Sequence, residues 1–425
     1  MCVTHLCTSD INGGAARAAY RLHRAAKGIS STMFVHSRAS TDPTVVKCTY
    51  RLIDIFRRVF WRTLRKREMD RYHVEFMRDF DGFSDDRVEG GATVLQKLPI
   101  CDVVHLHWIS RFVDYRSFFE GMAQRYMPIV WTLHDMNPFT GGCHYDRGCG
   151  RFSEGCGLCP QLRSSDPHDL SRKIFLRKQA AFSHIAPDML QLVTPSQWLA
   201  EEVRHSALLQ RFPVNVIPNG LDTSVFTPRD RYFAREVLDL PQDAHVLLFA
   251  ATLIEDRRKG LSLLLDALAD SYDNANFLLV SLGSTRVPLD SGIPYRHLGM
   301  IGEDRLLSLA YSAADVFIIP SLQDNLPNTV MESLACGTPV IGFNVGGILD
   351  MIRPGETGWL VPPRDVAALR TAIFDALAHP EKRSEMSVNC RRVVEQEYSV
   401  DIQFRRYLQL YEELVYRAQE RRVKR

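Results

Sequence analysis

No apolar run in this chain approaches the roughly 20 residues a helix needs to cross a bilayer, so a membrane-spanning protein is not expected. The first residues, Met1-Cys2-Val3-Thr4-His5-Leu6-Cys7-Thr8-Ser9-Asp10, lack a basic start followed by a long apolar stretch. That reads against a secretory signal and makes the cytoplasm the expected compartment. Excess charge of one sign is missing too: 52 Lys and Arg stand against 50 Asp and Glu, a net charge of +2. With no global field to attract phosphates, nucleic acid is not an expected partner. There is no internal repeat of solenoid length and no low-complexity tract. In a reducing compartment the ten cysteines are expected as thiols or metal ligands, not disulfides.

What is present is an ordinary globular composition, 45% hydrophobic and 24% charged, over 425 residues, more than one typical domain. Short apolar strands alternate with helical stretches, the pattern of parallel βαβ units. Strands are expected near 3–9, 32–37, 103–107, 129–134 and 190–195 in a first half. A second set falls near 214–218, 245–251, 277–282, 296–298, 316–320, 340–343 and 359–361. Two doubly wound sheets fit this run, with a hinge near 212–222. A last helical stretch from Val400 to about Gln419 repeats Phe404, Tyr407, Leu408, Leu410, Tyr411, Leu414 and Val415 at helical spacing.

The most informative segment is Pro320-Ser321-Leu322-Gln323-Asp324-Asn325-Leu326-Pro327-Asn328-Thr329-Val330-Met331-Glu332-Ser333-Leu334-Ala335-Cys336-Gly337-Thr338-Pro339-Val340, which follows the apolar strand Val316-Phe317-Ile318-Ile319. Asp324 and Glu332 bracket the passage from a strand's carboxyl end to a helix start. Open α/β sheets bind ligands at such junctions, because helix N-termini present unpaired N–H groups there. A diphosphate would sit on the amides near Asn328, Thr329 and Val330. The two carboxylates suit neutral hydroxyls, as acceptors of O–H donors. Diphosphate plus hydroxyl-rich rings describes a nucleotide sugar.

This stretch resembles the signature of family 4 retaining glycosyltransferases, in which Glu, seven residues and Glu lead into Ala-Met-Ala-Cys-Gly-Thr-Pro-Val. Here Asp324 stands for the first Glu, and Ser333-Leu334 for Ala-Met. Pro218-Asn219-Gly220-Leu221-Asp222, Gly346-Gly347-Ile348-Leu349-Asp350 and Gly355-Glu356-Thr357-Gly358-Trp359-Leu360-Val361 also resemble family motifs, so the likeness runs from about 12 to 362. It implies a GT-B fold, two doubly wound Rossmann-like domains facing a central cleft. Residues 1–212 would form the acceptor-side domain and 213–397 the nucleotide-sugar domain, with 398–425 a helix crossing back to the first.

The resemblance also implies a reaction: retaining transfer of a hexose from a UDP- or GDP-sugar to a saccharide or polyprenyl-linked saccharide. Glu332 would hold the ribose and Asp324 the donor-sugar hydroxyls. Lys259, in Arg257-Arg258-Lys259-Gly260, would neutralise the diphosphate with Arg257 or Arg258 beside it, in place of an Arg the family carries earlier, near Thr252. Gly13 and Gly14, after the first strand, would lie near the donor diphosphate. His134, delivered by Ile129-Val130-Trp131-Thr132-Leu133, would lie beside the transferred sugar; His105 and His107 read as structural or cleft-lining. No cofactor is implied for catalysis. The formal Asp-x-Asp, Asp79-Phe80-Asp81, follows no apolar strand and reads as coincidental, so no divalent metal on the diphosphate is implied.

A second cluster lies in the loop 136–165: Cys143-His144-Tyr145-Asp146-Arg147-Gly148-Cys149, then Gly155-Cys156-Gly157-Leu158-Cys159. Four soft thiolates closing in Cys-x-x-Cys can supply tetrahedral structural zinc. A redox dithiol and unligated thiols are the alternatives. This loop and Trp131-Thr132-Leu133-His134-Asp135 resemble a set of exopolysaccharide and colanic-acid-type assembly enzymes in the family. The stretch 51–67 is basic and amphipathic, with Leu52, Phe56, Val59, Phe60 and Leu64 on one helical face. Peripheral contact with anionic lipid and a core-facing helix both fit it. Two rivals to glycosyl transfer stay open: a nucleotide-sugar epimerase on the same fold, and a scaffold protein of the glycan assembly system.

Overall fold

Strands buried on both faces need near-continuous apolar sequence, and helices must cover each face. The computed structural model describes residues 1–72, 82–85, 87–88, 91–269, 276–285 and 292–423, and divides them into two compact units. The first comprises Met1–Pro218 and Gln403–Arg425, the second Asn219–Ile402. Asp79-Phe80-Asp81 lies outside the described residues.

The first unit opens with β1 (Cys2–Ser9), α1 (Gly14–Ala25), β2 (Ser30–Ser37), β3 (Val45–Lys47), α2 (Leu52–Asp70) and α3 (Gly91–Gln96). It continues with β4 (Val103–Leu106), α4 (Tyr115–Arg125), β5 (Ile129–Thr132), α5 (Leu170–Phe182), β6 (Leu190–Thr194), α6 (Gln197–His205) and β7 (Val214–Val216). All seven strands run parallel in the order β3-β2-β1-β4-β5-β6-β7. Trp131 of β5 is fully buried, packed by the rings of Tyr115, Phe119 and Phe182 from α4 and α5.

The second unit holds α7 (Arg231–Val237), β8 (His245–Leu253), α8 (Leu261–Leu268), β9 (Phe277–Ser284), β10 (Tyr295–His297), α9 (Asp304–Ala313) and β11 (Val316–Ile319). Then come α10 (Asn328–Ala335), β12 (Val340–Phe343), β13 (Gly358–Val361), α11 (Val366–Ala378) and α12 (Pro380–Glu397). Its parallel sheet runs β10-β9-β8-β11-β12-β13. In both sheets the order reverses beside the first strand, between β1 and β4 and between β8 and β11. Those reversals are the switch points where loops diverge and open α/β sheets take their ligands.

One strand falls in a different sheet from the one expected. Val214–Val216, expected to open the second half, pairs with β6, Leu192 opposite Val214, and completes the first sheet. The unit boundary accordingly lies after Pro218 and not after residue 212. The last helix, α13 (Val400–Val423), starts in the second unit, and its residues from Gln403 on belong to the first. There Tyr411 bonds His105 Nδ1 at 2.6 Å and Tyr407 bonds Thr132 at 2.7 Å.

Candidate active site

Because β8 and β11 are neighbours, the loops leaving their carboxyl ends emerge side by side. The first carries a 3-10 turn, Arg257–Lys259, and the second runs from Pro320 to Pro327. Hydrogen bonds join them: Leu322 N–H donates to the Arg258 carbonyl at 2.7 Å, and Arg258 Nη1 donates to the Gln323 carbonyl at 2.8 Å. Gly260 permits the approach. Its φ is +74°, and any Cβ there would be driven into the Pro320 carbonyl oxygen.

On this frame Lys259 Nζ stands 2.5 Å from Asp324 Oδ2, and Arg258 Nη1 3.4 Å from the same oxygen. Ser321 Oγ donates to that oxygen at 3.3 Å, and Asn325 N–H to Oδ1 at 3.2 Å. Gly347 N–H donates to the Asp324 carbonyl at 3.0 Å, tying the turn after β12 to the same corner. Burial alone would raise the Asp324 carboxyl, but Lys259 and Arg258 outweigh it and hold it at about 2. Burial lowers the Lys259 ammonium, with Asp324 opposing. Asp256 lies 3.5 Å from Arg258 Nη2, so two cations meet two carboxylates here.

Several helices are capped by side chains, α4 by Asp114, α5 by Asp169, α6 by Ser196 and α11 by Asp365. The helices after β1, β8 and β11 instead start on Gly13, Gly260 and Pro327 with no side-chain cap. Helix starts of this kind, at the carboxyl ends of the strands, are where open α/β sheets take anions. Of the three amides expected to bind phosphate at α10, that of Val330 donates to the Pro327 carbonyl at 3.1 Å and is committed to the helix's own first turn. Glu332, further along α10, is buried and accepts from Tyr311 Oη of α9 at 3.1 Å. The corner thus gathers Arg258, Lys259 and Asp324, while Glu332 is held by a different neighbour.

In the first unit His134 follows β5, and its Nε2 lies 3.2 Å from His107 Nδ1. His107 Nε2 in turn lies 3.0 Å from His5 Nδ1. The β1–β4 register sets His5 opposite His105, which is what brings the rings together. Burial keeps His134 at about 4, with Asp135 opposing, and lowers His5, His105 and His107 well below the ordinary imidazole value. All are neutral near pH 7, so each can pass a donor–acceptor polarity along the chain. His5, His105 and His107 have nitrogens within 4.8 Å of one another, the spacing of a metal site. Yet His105 commits both nitrogens to Tyr411 and Thr132, and the others bond one another. The cluster is a hydrogen-bond network. Gly13, at φ +96°, opens α1, and beside it the Asp10 carboxylate accepts from the amides of Ile11, Ala39 and Ser40.

Residues 12–225, half of the chain, match the family described as Glycosyltransferase Family 4. The chain belongs to glycosyltransferase family 4. Residues 244–379 match the description Glycosyl transferases group 1.

The chain is 34% identical to a D-inositol 3-phosphate glycosyltransferase of Geodermatophilus obscurus over 42% of each chain. It thus spans less than half the length of that relative. A D-inositol 3-phosphate glycosyltransferase of Mycobacterium tuberculosis is 25% identical over 83% of this chain and 68% of its own. Among solved structures, sucrose-phosphate synthase of Thermosynechococcus elongatus aligns with TM-score 0.63 and 21% identity, over 97% of this chain and 98% of that one. Anabaena HepE in complex with UDP-glucose aligns with TM-score 0.65 and 14% identity, over 97% and 99%. Likeness at these identities is one of fold, and the fold class is GT-B.

Sequence reasoning for this glycosyltransferase missed Tyr311, Asp10, His5 and the link from Asp135 to His144 and Trp108, at 2.7 and 3.1 Å. Register and strand order place these residues, and neither leaves a local signal. The four loop cysteines are free thiols lining one cavity. Leu52, Phe56, Val59, Phe60 and Leu64 of α2 are all exposed, Phe56 at 74%, so the core-facing reading of that helix fails. Among the described residues no helix is long and apolar enough to cross a membrane.

Proposed function

We propose that this enzyme transfers a hexose from a nucleoside-diphosphate sugar to a growing, lipid-linked glycan, with retention of anomeric configuration. The observation that carries the donor assignment is the Lys259–Asp324 corner at the β8/β11 switch point, beside the uncapped start of α10. An arriving diphosphate competes with Asp324 for Lys259 and Arg258, and the amides of Asn328 and Thr329 add to its hold. Displaced from Lys259, the Asp324 oxygens become acceptors for sugar hydroxyls, while Glu332 takes the ribose hydroxyls. Relatives support this reading: HepE is solved with UDP-glucose, and family members are D-inositol 3-phosphate glycosyltransferases.

In the proposed reaction the anomeric C–O bond to phosphate breaks while the acceptor oxygen bonds the same face of that carbon. The leaving phosphate oxygen takes the acceptor's proton. Lys259 and Arg258 neutralise the charge that develops on the diphosphate, so no divalent metal is needed for catalysis. Neutral His134 orients a sugar hydroxyl. The exposed apolar face of α2, with Arg58, Arg62, Arg65, Lys66 and Arg67 on the same helix, supports peripheral contact with the inner face of the plasma membrane, where a polyprenyl-linked acceptor resides.

Product anomer analysis tests the reaction: a product that keeps the donor's configuration is expected, and inversion removes the assignment. Incubation with donor alone separates the epimerase reading, which requires an isomerised nucleotide sugar where transfer gives only slow hydrolysis.

A further inference from the structure

The loop between β5 and α5 folds its four cysteines around one small space. Cys143, Cys149, Cys156 and Cys159 all line a cavity of about 20 Å³, room for a single ion or water, together with Thr140, Gly141 and other loop residues. In the other candidate metal cluster His105 and His107 commit both ring nitrogens, whereas these four residues are free thiols.

We propose that this cavity is a structural zinc site with a four-cysteine ligand set. A backbone amide already faces one of the sulfurs as amides do around metal-bound thiolates: Gly141 N–H donates to Cys156 Sγ at 3.2 Å. A thiolate accepts such bonds far better than a thiol does. The backbone is wound tightly enough to hold ligands close in sequence: Arg147, Cys156, Leu158 and Arg163 all adopt left-handed φ between 49° and 56°. Each such residue is strained unless its surroundings over-determine it, and a metal crosslink does so. Lys178, fully buried on α5, donates to the carbonyls of Asn137 and Thr140 and so places a cation beside this loop. That charge complements a zinc tetrathiolate, which carries two negative charges.

The sulfurs stand wider than in a loaded site. No three lie within 4.8 Å of one another, whereas zinc–sulfur bonds near 2.3 Å place tetrahedral sulfurs roughly 3.8 Å apart. Loading therefore draws the thiols inward by side-chain rotation and releases four thiol protons as four Zn–S bonds form. With every coordination position taken by sulfur, the ion orders the loop and performs no chemistry. Through Asp135, which accepts from Asn137 N–H at 2.9 Å, that order extends toward His134.

Elemental analysis of the full-length protein, purified under reducing conditions without added metal, should find one zinc per chain. Cys149→Ser and Cys156→Ser should each cut that content several-fold. Since either variant could fail to fold, the wild type is also stripped with a chelator and titrated with Co²⁺. Intense visible bands and thiolate-to-cobalt charge transfer, saturating at one equivalent, are expected. Zinc-free protein that gives no tetrahedral thiolate spectrum with Co²⁺ overturns the proposal, as does a disulfide among these cysteines in the reduced preparation.

Discussion

Lys259 and Asp324, far apart in the chain, meet at 2.5 Å because their strands are neighbours across the switch point of the second sheet. In the proposed donor complex a diphosphate would open this contact. Lys259→Ala should lower kcat/KM for the donor about 10²–10³-fold, the usual loss when one preorganised charge is removed from a developing oxyanion. Lys259→Arg should recover part of it. Initial rates over a range of donor concentration check this; an unchanged kcat/KM contradicts it.

The histidine network predicts sensitivity to mild acid. His5, His105 and His107 lie well below the ordinary imidazole value and His134 at about 4, as does His23 of α1, which bonds Ser31 and Thr44; burial is the largest cause in each. Folded, they stay neutral; unfolded, they take up protons near pH 6.5. The unfolded state therefore binds more protons as pH falls from about 6.5 toward 4, and stability drops across that window. Each histidine adds a slope of about 1.4 kcal/mol per pH unit. Thermal midpoints measured from pH 8 to 5 should fall below pH 6.5, less steeply for His5→Phe. A flat profile to pH 5 contradicts the prediction. Asp324 acts lower: held at about 2, it contributes stability above about pH 4 that is lost as pH falls through 2.

Gly260→Ala should destabilise the enzyme by roughly 2–4 kcal/mol, combining a left-handed backbone with a clash on the Pro320 carbonyl. Denaturant unfolding measures it. Gly13→Ala meets nothing within 4 Å and should cost only the backbone term, about 1 kcal/mol. Equal losses for the two would contradict the packing described around Gly260.

Much of this arrangement was legible because it is local. Val316-Phe317-Ile318-Ile319 reads as a buried strand, and Asp324 and Glu332 fall where a strand hands over to a helix. What eluded the sequence depends on pairing. Val214-Asn215-Val216 is too short to declare its sheet, and β3 has only three residues. The spacing of Tyr407 and Tyr411 marks one helical face, but not that His105 and Thr132 receive it. Lys259 and Asp324 were read in separate roles because strand order, which local patterns do not encode, brings them together.

Phe56 and Phe60 of α2, at 74% and 60% exposure, should insert at an anionic bilayer surface. Co-sedimentation with phosphatidylglycerol vesicles should fall at least tenfold for the double variant Phe56→Asp, Phe60→Asp, and rising salt should weaken the wild type. Equal binding by both proteins, or none by the wild type, contradicts membrane contact.

The donor site is tested most directly by thermal shift with a panel of UDP, GDP, ADP, CDP and dTDP, for wild type and Lys259→Ala. A ligand that binds only the native state raises its midpoint. The account predicts that at least one nucleoside diphosphate stabilises the wild type, and that Lys259→Ala needs at least tenfold more of it for the same shift. No response to any of the five, or equal shifts in both proteins, would contradict it.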